Sequence, residues 1–434
     1  MLASLASPET LRHAQYASGN LGKNTLASFL ELFALFYFTD VLGLTPGMAG
    51  AILLASLVWD GVADPAMGLI ADRLRRRLAT VQTYLVVGAP LTALAIIALF
   101  RAGDIPSDWR AAYVLICLIL FRSAYTIVDV PHNSMLVFLS ADSRDRTNIA
   151  SMRIFFSAVG KLAVSLVSVY FLSTTDIDTA ASRFSAAAIL FALIYLITMA
   201  NCARSIWDVQ IPGRHLAHAP FQLRHLVESV TANRRLMIVF ALTATTSLVT
   251  PVIGVALIYV AKYGIGQETA GSAAVTAMAI AQALSPLFWS KLANRMNDKA
   301  RAAQLANGLL LASALLGAFA VATPVAFFGA AGLAGFAFGG IFMLNWSMLP
   351  DALTARSSGR QFDISVFGFY SLINKLAHGL SQAFVGVTLA FYGYAADTDV
   401  AVSAIGSISD TLMMAPLLGA AVCVGLLRAY RRSA

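Results

Sequence analysis

The stretch "LLASLVWDGVADPAMGLIADRLRRR" (residues 53–77) is apolar until it ends in arginines, yet it carries two carboxylates, Asp60 and Asp64, inside the apolar part. An apolar run of about 20 residues closed by basic residues reads as a membrane-spanning helix whose end meets the cytoplasmic surface. Four residues apart, the two acids share one face of that helix, a single turn from each other. A charge so placed is costly in lipid, so such residues face a water-filled cavity or a partner.

The rest of the chain reads the same way. Of its 434 residues 59% are hydrophobic and 12% charged, too little polar surface to cover a water-soluble globule. Apolar stretches of spanning length recur at 23–42, 47–70, 81–100, 111–138, 150–173, 184–203, 236–261, 269–292, 304–322, 324–349, 364–392 and 410–428. The expected fold class is therefore all-α integral membrane, with twelve transmembrane helices. The +8 net charge does not point to nucleic acid, because the basic residues cluster after even-numbered spans. Arg73, Arg75, Arg76 and Arg77 follow the second span and Lys291, Arg295, Lys299 and Arg301 the eighth, whereas the opposite loops hold only Arg101, Arg110, Arg183 and Lys262. That bias places both termini in the cytoplasm, and the expected location is a bacterial inner membrane. No secretory signal is evident at the start of the chain, and Cys117, Cys202 and Cys423 fall inside apolar spans, where small buried side chains are expected and no disulfide.

The two halves echo each other. "NSMLVFLSADSRDR" (133–146) resembles "WSMLPDALTARSSGR" (346–360), and "FFSAVGKLA" (155–163) resembles "FYSLINKLA" (369–377), which pairs Ser157 with Ser371 and Lys161 with Lys375. The first echo is offset by 213 residues and the second by 214. A duplicated six-helix bundle follows: 1–203, a connecting loop at 204–235, and 236–434. Such a parallel repeat is the architecture of a major facilitator transporter. "GLIADRLRRR" (68–77) resembles the facilitator signature between the second and third helices, with "SKLANRMNDKAR" (290–301) as its weaker counterpart. Gly68, Asp72, Arg73 and Arg76, with Asp351 and Asp363 near the corresponding cytoplasmic ends of the second half, are expected to act as gating residues. Gly335 and Gly339 have the spacing of a close helix crossing.

Glu31, Asp60, Asp64, Arg122, Asp129, Lys161 and Lys375 lie well inside their spans, with Arg153 nearer the cytoplasm. Two carboxylates one turn apart in a low dielectric cannot both ionise cheaply, so Asp60 and Asp64 read as a site for H⁺ or Na⁺. The other reading is neutralisation by Arg122, Lys161 or Lys375 in permanent ion pairs. Asn24 shares a face with Glu31, and Arg122 with Asp129, which predicts a polar stripe on each helix.

"YFTDVLGL" (37–44), "WDGVADPAMG" (59–68), "AYTIVDVPHNS" (124–134), "RIFFSAVG" (153–160) and Lys375 resemble, in order and spacing, the glycoside-pentoside-hexuronide:cation symporters. The resemblance implies a cation site of Asp60, Asp64 and Thr126, and substrate binding by Lys23, Tyr125, Asp129 and Arg153, with Lys375 between the two sites. The chain departs from the family's melibiose-type members at Asn24, Asn133, with His132 before it, and Ala63. The substitution at Ala63 removes an oxygen ligand, which favours H⁺ over Na⁺. Arg122, Lys161, Arg153 and Lys375 could hold an acidic group, or could balance Glu31, Asp60, Asp64 and Asp129. With Asn24, Glu31, His132, Asn133 and Ser371 they complete the expected substrate-binding set.

No phosphate loop, zinc-protease motif or Cys-x-x-Cys is present, so no cofactor is expected beyond the coupling ion. The expected function is a cation-coupled symporter, not an enzyme, that imports a sugar or sugar-acid-like solute as a monomer within membrane lipid. Alternatives on the same scaffold are an efflux antiporter or lipid transporter, and, from another class, a non-transporting sensor or membrane enzyme.

Overall fold

A computed structural model describes residues 8–74, 81–172, 177–209, 230–259, 261, 268–318, 324–354, 364–391 and 402–432. Among these residues there are twelve α-helices and no strand. The first half comprises α1 (Pro8–Phe36), continued by a π turn at Tyr37–Val41, then α2 (Pro46–Leu74), α3 (Gln82–Leu99), α4 (Ser107–Leu139), α5 (Ser143–Leu172) and α6 (Ile177–Ser205). The second comprises α7 (Arg234–Tyr259), α8 (Glu268–Met296), α9 (Lys299–Ala318), α10 (Pro324–Thr354), α11 (Ile364–Phe391) and α12 (Val402–Arg432). Helices are what lipid demands, since every backbone N–H and C=O must be satisfied within the segment. Among the described residues nine helices are long and apolar enough to cross a membrane, and the chain is an integral membrane protein. α1, α9 and α11 fall short of that hydropathy. For α1 the cause is visible: it begins at Pro8 rather than near residue 23 and includes Asn20, Lys23 and Asn24, which find partners on α4 and α5.

The chain divides into two compact units. The first holds Met1–Ala141, Phe155–Gln222 and Gln361–Leu372; the second holds Asp142–Ile154, Leu223–Arg360 and Ile373–Ala434. In the first unit α1 packs on α6, α3 on α4 and α6, and α2 on α4. In the second, α7 packs on α12, α9 on α10 and α12, and α8 on α10. Every one of these pairs recurs with a shift of six helices, so the sequence echoes correspond to a repeated packing scheme.

Each unit also anchors the start of one helix whose remainder belongs to the other. In the first unit the Asp72 carboxylate accepts hydrogen bonds from the N–H groups of Ile364 (2.9 Å) and Ser365 (3.1 Å), capping α11 where its N–H groups have no partner within the helix. Gly68 permits this approach, since a Cβ there would lie 2.6 Å from the Ser365 Cα. In the second unit Asp351 accepts from Ser143 Oγ (2.8 Å), Arg146 Nη2 (2.6 Å) and Lys299 Nζ (2.6 Å), tying the start of α5 to α10. Burial pushes the Lys299 ammonium down to about 8, with the pull of Asp351 opposing it. Arg73's side chain, Arg76 and Asp363 lie outside the described residues.

The crossing of α8 and α10 is set by small residues. A Cβ on Gly335 would fall onto the Met278 carbonyl, and one on Gly340 would lie 2.5 Å from the Trp289 ring. Gly335→Val should therefore force the helices apart, at about 1–3 kcal/mol, and lower the melting temperature of the purified protein. Gly332→Ala, where a Cβ meets nothing within 4 Å, should leave it unchanged. Equal melting of the two variants would contradict this packing.

Candidate functional site

α4 carries the site's partners along one face. Arg122, Thr126, Asp129 and Asn133 follow one another at steps of three and four residues, the spacing that lines up side chains on a helix. The upper pair meets α2, whose Asp60 and Asp64 are both fully buried. Arg122 Nη1 lies 3.3 Å from Asp60 Oδ2, and Thr126 Oγ1 donates a 2.8 Å hydrogen bond to Asp64 Oδ1. Trp59 Nε1 adds a bond to Ser123 Oγ at 2.8 Å, which fixes the register of α2 against α4.

The lower pair meets α1. Lys23 Nζ donates to Asp129 Oδ1 at 2.6 Å and to Asn133 Oδ1 at 3.0 Å, and Asn133 Nδ2 donates to Asp129 Oδ2 at 3.0 Å. This closed triangle lets an ammonium and a carboxylate sit inside the bundle, because each charge keeps a partner and a hydrogen bond. Tyr125 reaches the Lys23 carbonyl with its hydroxyl (3.4 Å), and the His132 ring stacks on Tyr16 with centroids 4.7 Å apart. Asn20 and Asn24, one turn apart on α1, both donate to Ser157 Oγ on α5, at 3.0 and 2.9 Å.

The first unit thus brings together Lys23, Asn24, Asp60, Asp64, Arg122, Tyr125, Thr126, Asp129, His132 and Asn133. Glu31 and Lys161 are exposed, Glu31 two turns from Asn24 and Lys161 one turn beyond Ser157. Ser371 is buried in the first unit. Arg153 and Lys375 belong to the second unit, where the buried Arg153 guanidinium lies 5.0 Å from the centre of the Trp346 ring and Lys375 is half-buried. Sequence reasoning missed Asn20, Ser157 and Trp346. Asn20 and Ser157 carried a usable signal, each being polar, one turn from another expected site residue and on its face.

Comparison with known proteins places this geometry in context. A family model described as MFS/sugar transport protein matches residues 15–432. The chain is 29% identical over 381 residues to the putative glycoside/cation symporter YagG of Escherichia coli (strain K12), covering 85% of this chain and 80% of that protein. It is 24% identical over 420 residues to the uncharacterized symporter YjmB of Bacillus subtilis (strain 168), covering 94% and 89%. Among solved structures, a bacterial homologue of the iron transporter ferroportin in an outward-facing state shares the fold, with a TM-score of 0.69 at 11% identity over 96% of this chain and 99% of that one.

The Lys23–Asp129 pair is directly testable. Removing one partner of a buried pair leaves the other uncompensated, at about 3–5 kcal/mol, whereas removing both is close to neutral. Lys23→Gln should lower the melting temperature of the purified protein and the double change with Asp129→Asn should recover most of it. A double variant less stable than Lys23→Gln would refute the pairing.

Proposed function

The chain belongs to the MFS/sugar transport protein family, and from that premise we propose that it is a cation-coupled symporter importing a glycoside or sugar-acid-like solute by alternating access. The observation that carries this reading is the α2–α4 contact, in which two fully buried carboxylates stand one turn apart with a hydroxyl on the second. Asp60, Asp64 and Thr126 are the coupling site. An acid pair of this kind is unstable when empty and doubly charged, so a bound cation biases which state the carrier adopts. The Thr126 hydroxyl supplements the acids, while position 63, between them on α2, is alanine and offers no side-chain oxygen. A proton needs one basic oxygen and Na⁺ needs several, so H⁺ is the favoured ion.

The solute reading rests on the hydrogen-bonding groups of α1, α4 and α5. Asn24, Ser157, Tyr125, Asp129 and Asn133 offer donors and acceptors suited to sugar hydroxyls. Lys161 is a cation without a carboxylate partner among the described residues, one turn from Ser157, and suits an acidic group on the solute. The gating role belongs to Gly68 and Asp72, which hold the start of α11, and to Asp351, which holds the start of α5. The repeat is read as two six-helix bundles, 1–203 and 236–434, in a monomer of the bacterial inner membrane with cytoplasmic termini.

Uptake into proteoliposomes under an imposed pH or Na⁺ gradient, with competition by a panel of glycosides, uronates and organic acids, tests the function. Asp64→Asn should abolish concentrative uptake while leaving downhill exchange; unimpaired accumulation by this variant would overturn the proposal. If the solute is acidic, Lys161→Gln should weaken uronate competition roughly tenfold, the value of one charge-assisted contact of about 1.4 kcal/mol, without changing competition by neutral glycosides. An equal effect on both classes would remove Lys161 from acid recognition.

A further inference from the structure

We infer that Glu31 on α1 and Lys161 on α5 form a subsite of opposite charges that selects a solute carrying both an amine and an acidic group, an amino-sugar acid or a zwitterion of similar length. The inference rests on the proposed reading of Lys161 as the contact for an acidic group. It adds the acid that recognises the other end of the solute.

Three observations carry it. The first is exposure without pairing. Glu31 and Lys161 are both exposed within spanning helices, and neither has a hydrogen bond or ion pair among the described residues. A full charge so placed does not rest in hydrocarbon, so each faces water. The second is facing. On α5, Ser157, Lys161 and Ser165 follow one another at steps of four, a polar stripe beside the exposed Leu162 and Leu166, which suit lipid. On α1, Glu31 stands two turns beyond Asn24, whose amide donates to Ser157 Oγ at 2.9 Å. Glu31 also acts electrostatically on the Tyr125 hydroxyl, as Asp60 and Asp129 do, which puts it on the side of α1 that looks toward α2 and α4.

The third is spacing. α1 and α5 touch closely, since a Cβ on Gly160 would lie 2.5 Å from the Leu21 oxygen and 3.1 Å from the Thr25 nitrogen. As the first and fifth spans of an alternating bundle, the two helices run in the same sense. Lys161 directly follows this contact, and Glu31 comes six residues after Thr25, so their Cα atoms stand at levels roughly 7–8 Å apart along the helix axes. A solute the size of a hexose bridges that offset. Closure around a plain sugar acid would answer Lys161 but strip water from Glu31 with nothing in return, a costly state for a carboxylate. An ammonium on the same solute answers both.

The test is calorimetric titration and thermal unfolding of the purified full chain with matched probes on glucose and galactose frames: the neutral sugar, its uronate, its 2-amino sugar and its 2-amino uronate. In one frame, wild type should bind the 2-amino uronate roughly tenfold more tightly than the uronate, the value of one charge-assisted contact. Glu31→Gln should remove that gain and keep the preference for uronate over neutral sugar. Lys161→Gln should do the reverse. Since neither side chain has a partner to lose among the described residues, both variants should melt like wild type without ligand. A 2-amino uronate bound no more tightly than its uronate in either frame would overturn the inference, as would a Glu31→Gln variant that weakens all four probes equally. A lowered melting temperature in either single variant that the double variant restores would show the two charges paired with each other, and would overturn it as well. These outcomes are separate from uptake by Asp64→Asn: retained accumulation there defeats the proposed coupling and leaves the probe ratios standing, whereas lost amine discrimination defeats only the role of Glu31.

Discussion

The structure depends on one constraint: a charge inside a membrane helix must be met by a partner on a neighbouring helix, or by an exchangeable ion. α4 meets that constraint for two neighbours at once. Its Arg122 and Thr126 answer the acids of α2, and its Asp129 and Asn133 answer Lys23 of α1. Since these residues share a face, a displacement of α4 changes the surroundings of the α2 acids and of the α1 ammonium together. In the proposed symport, that mechanical link would give ion and solute occupancy a common element to act through, which coupling between two sites requires.

The same logic explains how the starts of α5 and α11 are held. Asp72 satisfies the first N–H groups of α11, and Asp351 gathers Ser143, Arg146 and Lys299 around the start of α5. Both contacts hold a helix start by a carboxylate, Asp72 through backbone N–H groups and Asp351 through side chains. The packing of α1 on α6, α3 on α4 and α6, and α2 on α4 recurs with a shift of six helices in the second unit.

Much of this was legible in the sequence, for identifiable reasons. Hydropathy reveals the spans because lipid-facing residues must be apolar, and it fails at α1, where Asn20, Lys23 and Asn24 are satisfied internally and the helix starts at Pro8. Asp60, Asp64 and Asp129 stood out because carboxylates are rare in such segments. What the sequence left open was pairing. Arg122 reads equally well as a solute contact or as a counter-ion, and only the distance to Asp60 separates the two. Asn20 and Ser157 were within reach of the sequence, each one turn from an expected site residue and on its face, but the convergence of both asparagines on one hydroxyl was not. The Arg153–Trp346 contact joins helices remote in sequence, which no local pattern encodes.

The central proposal is that the Asp60–Asp64 pair of α2 takes up and releases the coupling cation. Infrared difference spectroscopy of the purified protein during a pH change reads carboxyl protonation directly. The account predicts a carboxyl signal that is lost when both acids are replaced, in the double variant Asp60→Asn with Asp64→Asn. A signal unchanged in that double variant would contradict it.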